Sequence, residues 1–275
     1  MFSPAKKEQL HLKIAIDGPS GSGKTYSALM LAKGLVENGI GKRIGVVDTE
    51  SGSSTSYAKK FKFDIAKMNP PYDTIKYIQA IEFCVKEGID VLILDSISHA
   101  WSGVGGLLDQ KEKLDSIGSN KSGFANWKSI SAKQEKFVAT ILHSPIHIIA
   151  TMRSKQEYVL TTNDNGKQVP KKLGLAPVQR DGIEYEFTTV FSIDLETHQA
   201  VATKDRTGVF TAPRVIDESF GKDFADWLKD GVEPETPAIE RIAEHAPTKT
   251  LPNLAPTGQA KPANFLQEMK DRHTK

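Results

Sequence analysis

Gly18-Pro19-Ser20-Gly21-Ser22-Gly23-Lys24-Thr25 places three glycines, a lysine and three hydroxyl side chains within eight consecutive residues. Glycines let a backbone curl until successive N–H groups converge on an anion. Lys24 then reaches the β- and γ-phosphates of a nucleoside triphosphate such as ATP, and the Thr25 hydroxyl is a ligand for Mg²⁺. The spacing fits the phosphate-loop pattern G-x-x-x-x-G-K-[ST], which requires a strand before it and a helix behind it. Two carboxylates follow. Asp95 ends the apolar run VLILD, at the strand edge where open α/β sheets bind ligands, and can support Mg²⁺ through water. Otherwise it is a solvated residue starting a turn. Glu50 lies two residues beyond Asp48, which ends RIGVVD, and can orient and deprotonate a water opposite a γ-phosphate. The alternative is a charged loop residue, and Asp48 itself is ambiguous between a site and a structural role.

The elements that must position these groups alternate. Leu12–Asp17 reads as a buried strand, 24–38 as an amphipathic helix stopped by Gly39, and Arg43–Asp48 as a second strand. A helix over 73–87, a strand over Asp90–Asp95, a long helix over 124–143 and a strand over Ile146–Thr151 complete the pattern. Strands joined by helices need crossovers, so a parallel sheet covered on both faces is expected. Beyond residue 151, Tyr158–Thr162 and Gln168–Lys172 flank Asn163-Asp164-Asn165-Gly166 and predict a hairpin. Late strands are expected at Phe187–Leu195 and Ala200–Thr203, and a closing helix at 218–229. The expected organisation is an N-terminal arm at 1–11, a core at 12–230 and a Pro-rich linker with a flexible tail at 231–275.

Among 275 residues, 39% are hydrophobic and 25% charged, which excludes collagen-like and wholly disordered classes. No run of about 18 apolar residues suggests a membrane span. The single cysteine, Cys84, permits no internal disulfide and suits a reducing cytoplasm. Lys+Arg 36 against Asp+Glu 34 gives a formal charge of +2, so nucleic-acid binding must be argued from local clusters. One such cluster is Arg153, Lys155, Lys167, Lys171, Lys172 and Arg180 against Glu157 and Asp164, six positive charges minus two negative, an excess of four. It contains Tyr158, whose ring can stack on a base while the cations contact phosphates. A solvated charged face is the other reading. The Gly- and Ser-rich stretch at 102–123 reads as a loop. Trp101 and Trp127 read as packing residues and Cys84 as a buried filler. The seven histidines show no ligand spacing.

The phosphate loop, VVDTE at 46–50, YAKKFKFD at 57–64, VLILDS at 91–96 and IIATMRSK at 148–155 together resemble the RecA-like recombinase core over roughly residues 10–230. QEYVL at 156–160 and LGLAPVQRDGIEYEF at 173–187 look like the short phage- and prophage-encoded RecA-like single-strand annealing ATPases. The resemblance implies an α/β RecA-like P-loop NTPase core, with Glu50 activating water and Asp95 supporting the metal. It sets Thr151, Met152 and Arg153 where the family senses the γ-phosphate; Met152 stands where a polar amide is usual, so Thr151 or Arg153 takes the role. It makes the 153–180 segment a DNA-binding loop, with 102–123 as a second candidate. Lys204 and Arg206, on alternate residues of an extended segment, would reach a neighbour's nucleotide; an ordinary charged turn is the alternative. The implied activity is Mg-ATP hydrolysis on single-stranded DNA, in annealing or strand exchange, by a homo-oligomeric ring or filament. A RecA-fold helicase or loader, or a nucleotide-dependent interaction switch without DNA activity, are the rival functions. Phe2-Ser3-Pro4-Ala5 has the F-x-x-A spacing that some recombinases use for subunit docking, against a chance match of two fixed residues in four. Residues 262–272 read either as a brief amphipathic helix that contacts a partner such as a single-strand DNA-binding protein or as a disordered end with three incidental apolar residues.

Overall fold

The computed structural model describes residues 6–231, apart from 8, 118–122 and 163–167, and describes 123–124 and 156–174 by backbone alone. The arm's Phe2–Ala5, the hairpin's connecting turn with Lys167, and the linker and tail lie outside the described residues.

The apolar runs become the central strands. These are β1 (Lys13–Gly18), β2 (Ile44–Asp48), β4 (Val91–Asp95) and β5 (His147–Thr162), with the short β3 (Asp64–Lys67) beside β2. Next come β6 (Gln168–Pro177), β7 (Thr189–Ile193), β8 (Gln199–Asp205) and β9 (Arg214–Val215). The order across the sheet is β3-β2-β4-β5-β1-β7-β8-β9, with β6 paired to β5 off this path. Contacts from β3 through β7 are parallel, while β5–β6, β7–β8 and β8–β9 are antiparallel. This is the expected α/β RecA-like architecture: a mainly parallel sheet, helices over it and late antiparallel strands.

Strand parity divides the core. Ile14, Ile16, Val46, Ile93, Ile149 and Phe191 belong to one cluster with Leu31 and Leu35 of α1 (Lys24–Glu37) and Phe220 and Phe224 of α6 (Glu218–Lys229). The alternate residues Leu92, Leu94, Ile148 and Ala150 are equally buried and turn to the other face. There α2 (Thr74–Lys86) and α5 (Gly123–His143) join through Tyr77 and Phe137, whose rings lie 5.3 Å apart. Asp73 and Asp217 cap α2 and α6 by accepting from the N–H groups of Ile75 and Ser219, both at 2.9 Å. Cys84 is buried, and burial pushes its thiol up to about 12.

Helices α1 and α6 meet backbone to backbone. A Cβ on Gly221 would stand 2.3 Å from the carbonyl carbon of Gly34. Gly221→Ala is therefore expected to destabilise the fold by about 1–3 kcal/mol of overpacking, although alanine is the better helix former by about 1 kcal/mol. Thermal denaturation checks this: Tm should fall by roughly 2–12 °C, and a rise would contradict the packing.

Three elements differ from expectation. The 102–123 stretch is not a continuous loop: after α3 (Ser98–Ser102), α4 spans Leu107–Ile117. Its flanking glycines mask a helix braced by Lys113–Asp109 at i,i+4 and by Asp109 accepting from Gly105 N at 2.6 Å. Strand β3 is four residues long and mostly solvent-facing, which leaves too short an apolar signal. Strand β5 continues far beyond residue 151, because β6 supplies hydrogen-bond partners after β4 and β1 end.

Candidate functional site

The phosphate loop leaves the end of β1 and enters α1. Gly21 and Gly23 have φ of +86° and +94°, the left-handed region that bare glycine adopts freely. Gly23 caps α1, and its carbonyl accepts from Ser27 N at 2.8 Å. Lys24 Nζ folds back to donate to the Pro19 carbonyl at 2.7 Å. Burial lowers its pKa, opposed by the charges of Asp95 and Glu50.

Asp95, 2% exposed, ends β4 opposite this loop. Its Oδ2 accepts from the Thr25 hydroxyl at 2.6 Å and its Oδ1 from the Thr151 hydroxyl at 2.5 Å. Burial raises the carboxyl above its ordinary value, and the two threonine hydrogen bonds counter that rise. Thr25 and Asp95 thus put hydroxyl and carboxylate oxygens together, the donor set a hard divalent cation takes. Thr151 is fully buried and committed to Asp95, so its place in the fold is behind the carboxylate rather than in the cleft.

Asp48 resolves as the organiser of the turn that presents Glu50. Buried at 1% exposure, it accepts from the backbone N–H groups of Glu50, Gly52 and Ser54 at 2.8, 3.0 and 2.9 Å, and from the Ser54 hydroxyl. Glu50 Oε1 accepts from the Ser96 hydroxyl at 3.2 Å and from Arg153 Nε at 2.9 Å, while its Oε2 accepts from the Arg153 guanidinium's second arm. Burial alone would raise the Glu50 carboxyl, but the hydrogen bonds and charge of Arg153 outweigh it and hold the carboxyl below its ordinary value.

Lys24, Thr25, Glu50, Asp95 and Arg153 line one cleft of about 560 Å³ with Ser20, Gly21 and Gly23 of the loop. Gly18, Pro19 and Ser22 complete the loop without lining it. The size and the convergence of cations, bare backbone and two carboxylates fit a nucleoside triphosphate with its cation. The family described as "AAA domain" matches residues 10–219, about three quarters of the chain. The chain belongs to this AAA-domain family. Its core is a RecA-like P-loop ATPase fold of the nucleotide-binding kind. A solved structure of a KaiC-like protein from the hyperthermophilic archaeon Pyrococcus horikoshii OT3 is similar at 17% identity and a TM-score of 0.41, covering 76% of this chain and 87% of that one. No curated protein matches.

Among the described side chains, the remaining candidates Lys155, Arg180, Lys204 and Arg206 of this AAA-domain protein do not line the cleft. Lys204 Nζ donates to the Glu184 carbonyl at 3.0 Å and to that of Tyr185; Arg206 donates to the same Tyr185 oxygen at 3.1 Å. Neither lines its own chain's cleft. Lys155 is exposed at the stem of the β5–β6 hairpin and Arg180 is half-buried beyond it. Tyr158 and Lys172 are register partners across the hairpin, and Lys171 is the partner of Val159. Lys167 falls outside the described residues. Trp101 and Trp127 stack with ring centres 6.2 Å apart.

Sequence reasoning missed a cluster behind Glu50. The Thr49 hydroxyl accepts from Ser96 N at 2.9 Å and lies 2.7 Å from His99 Nδ1, and the His99 ring stacks on Tyr72 at 4.7 Å. Burial and then Arg153 lower the pKa of His99. Tyr57 and Ser53 also line the cleft. Only the Thr49–Glu50 adjacency was visible beforehand; the rest depends on β2 and β4 being neighbours. Among the described residues no helix is long and apolar enough to cross a membrane.

Proposed function

We propose that this protein is a Mg-ATP hydrolase acting on single-stranded DNA in recombination, by annealing or strand exchange, of the short phage type. The observation that carries the hydrolytic half is the meeting of Lys24, Thr25, Asp95, Glu50 and Arg153 in one cleft. Backbone N–H groups of the loop and Lys24 bind the phosphates. Thr25 and Asp95 would hold Mg²⁺, which when bound offsets phosphate charge. Glu50 orients a water and takes its proton at a carboxylate oxygen. Of the two sensor candidates, Arg153 lines the cleft and would sense the γ-phosphoryl group, while Thr151 hydrogen-bonds Asp95.

The DNA half rests on continuity. Strand β5 runs from Arg153 at the cleft into the hairpin as one strand, with a register shift against β6 between Glu157 and Tyr158. The Arg153 backbone N–H donates to the Ser98 hydroxyl at 2.9 Å, and its carbonyl accepts from Val178 N at 2.6 Å, just past the returning strand. Nucleotide contacts and the hairpin stem therefore share one residue. Lys204 and Arg206 would act on a neighbouring subunit's nucleotide in a homo-oligomer, the C-terminal tail would recruit a single-strand DNA-binding protein, and a cytoplasmic setting suits a chain with a single, buried cysteine, Cys84.

ATP turnover with and without single-stranded DNA, run beside annealing of complementary strands, tests this reading. Stimulation together with annealing supports it. An unchanged rate favours the interaction switch, and directional unwinding of a tailed duplex favours a motor. Reversing Lys171 and Lys172 to Glu is expected to weaken DNA binding at least about tenfold at low salt. The slope of the salt dependence should flatten by roughly 0.7 for each DNA phosphate that is no longer neutralised. Binding that survives both reversals, measured by anisotropy across a salt series, would remove the hairpin from the DNA site.

A further inference from the structure

The turn joining β7 to β8 lies against the phosphate loop. Asp194 shapes it: Oδ1 accepts from the N–H groups of Glu196 and Thr197 at 3.1 and 2.8 Å and from the Thr197 hydroxyl at 2.9 Å. His198 ends the turn at φ +55°, a backbone conformation that non-glycine residues adopt at a cost. Its N–H donates to the Asp194 carbonyl at 3.1 Å. Its side chain reaches across to the loop, where Nδ1 lies 3.1 Å from the Ser22 carbonyl oxygen. A carbonyl can only accept, so Nδ1 is the ring nitrogen that carries the hydrogen.

The turn meets the loop at two of its glycines. A Cβ on Gly21 would lie 3.7 Å from Leu195 Cδ1, and one on Gly23 would lie 4.0 Å from His198 Nδ1. Neither Leu195 nor His198 lines the nucleotide cleft. The contact acts on one peptide unit. In a trans peptide the carbonyl and the following N–H point in opposite directions. With the Ser22 carbonyl held by His198, the Gly23 N–H is turned away from His198, and Gly23 lines the cleft. Gly23, free to rotate at φ +94°, has no Cβ to hold that plane itself.

We propose that His198 is a positioning residue for phosphate binding: by fixing the Ser22 carbonyl it aims the Gly23 N–H into the cleft. This rests on the cleft being the triphosphate site. Asparagine separates the role from bulk. Its Nδ2 sits where the histidine Nδ1 does, it donates, and it tolerates positive φ. Aspartate has the same shape but accepts only.

The test is the Kd of a fluorescent ATP analogue with Mg²⁺ for wild type, His198→Asn, His198→Ala and His198→Asp, with Tm recorded for each. Asn should stay close to wild type. Ala should bind about three- to tenfold more weakly, the range of one ordinary hydrogen bond. Asp should be weaker still at a Tm matching that of Asn. If wild type binds and Ala equals it, or Asn is as weak as Ala, the positioning role is overturned. If wild type itself fails to bind, the reading of the cleft falls instead. Should Ala unfold, the Asn and Asp pair still decides the outcome.

Discussion

Glu50→Gln is expected to retain ATP while cleaving it about 10²–10⁴ times more slowly, the usual contribution of a positioned general base. The amide keeps the shape of the side chain and the means to accept from Ser96. It cannot take a proton from water. The turn that carries residue 50 is fixed by Asp48 through three backbone hydrogen bonds, so the substitution leaves the loop in place. The substitution also removes the ion pair with Arg153, but both partners are partly solvent-exposed and the pair's stabilising effect is correspondingly small. Arg153 holds the wild-type carboxyl below its ordinary value despite burial, which favours the carboxylate, the form that can accept a proton from water. Binding of a fluorescent ATP analogue and phosphate release, measured on the same preparation, separate the two effects.

Lys24→Ala is expected to weaken ATP binding by about 1.5–3 kcal/mol, roughly 10- to 150-fold, the range for a hydrogen bond to a charged group. The ammonium is the loop's one side-chain cation, and Asp95 and Glu50 oppose the burial that would discharge it. Its one hydrogen bond within the described residues goes to the Pro19 carbonyl, a loop atom, so its removal should leave Tm nearly unchanged. Equilibrium titration with ATP in magnesium buffer gives the affinity and a melting curve the control. A variant that binds as tightly as wild type would place the phosphates elsewhere.

What was readable in the sequence was local. The loop's eight residues, the apolar runs of β1, β2 and β4, and the helical spacing of α1, α2 and α6 each carry their signal within a few positions. Helix α6 begins and ends where its periodicity predicts. Asp95 and Glu50 were visible because each ends or follows a buried strand. What was hidden is the adjacency of distant segments. Arg153 and Glu50 are 103 residues apart, Thr151 and Asp95 56, His198 and Ser22 176. These contacts follow from sheet order, with β5 placed between β4 and β1 and β7 on the far side of β1. Thr151 and Arg153, indistinguishable as sensors in the sequence, separate in the fold: Thr151 is buried against Asp95, while Arg153, where β5 leaves the sheet, is exposed at the cleft. Helix α4 was hidden for a different reason: its ends are glycine-rich, and its i,i+4 charge pairs read as a solvated loop.

A single-turnover reaction, with enzyme in excess over γ-labelled ATP and Mg²⁺ and with wild type and Glu50→Gln side by side, puts the cleft to its sharpest trial. Wild type should release labelled phosphate while the variant holds intact ATP over the same interval. No release by wild type, or equal release by both, would contradict hydrolysis directed by Glu50.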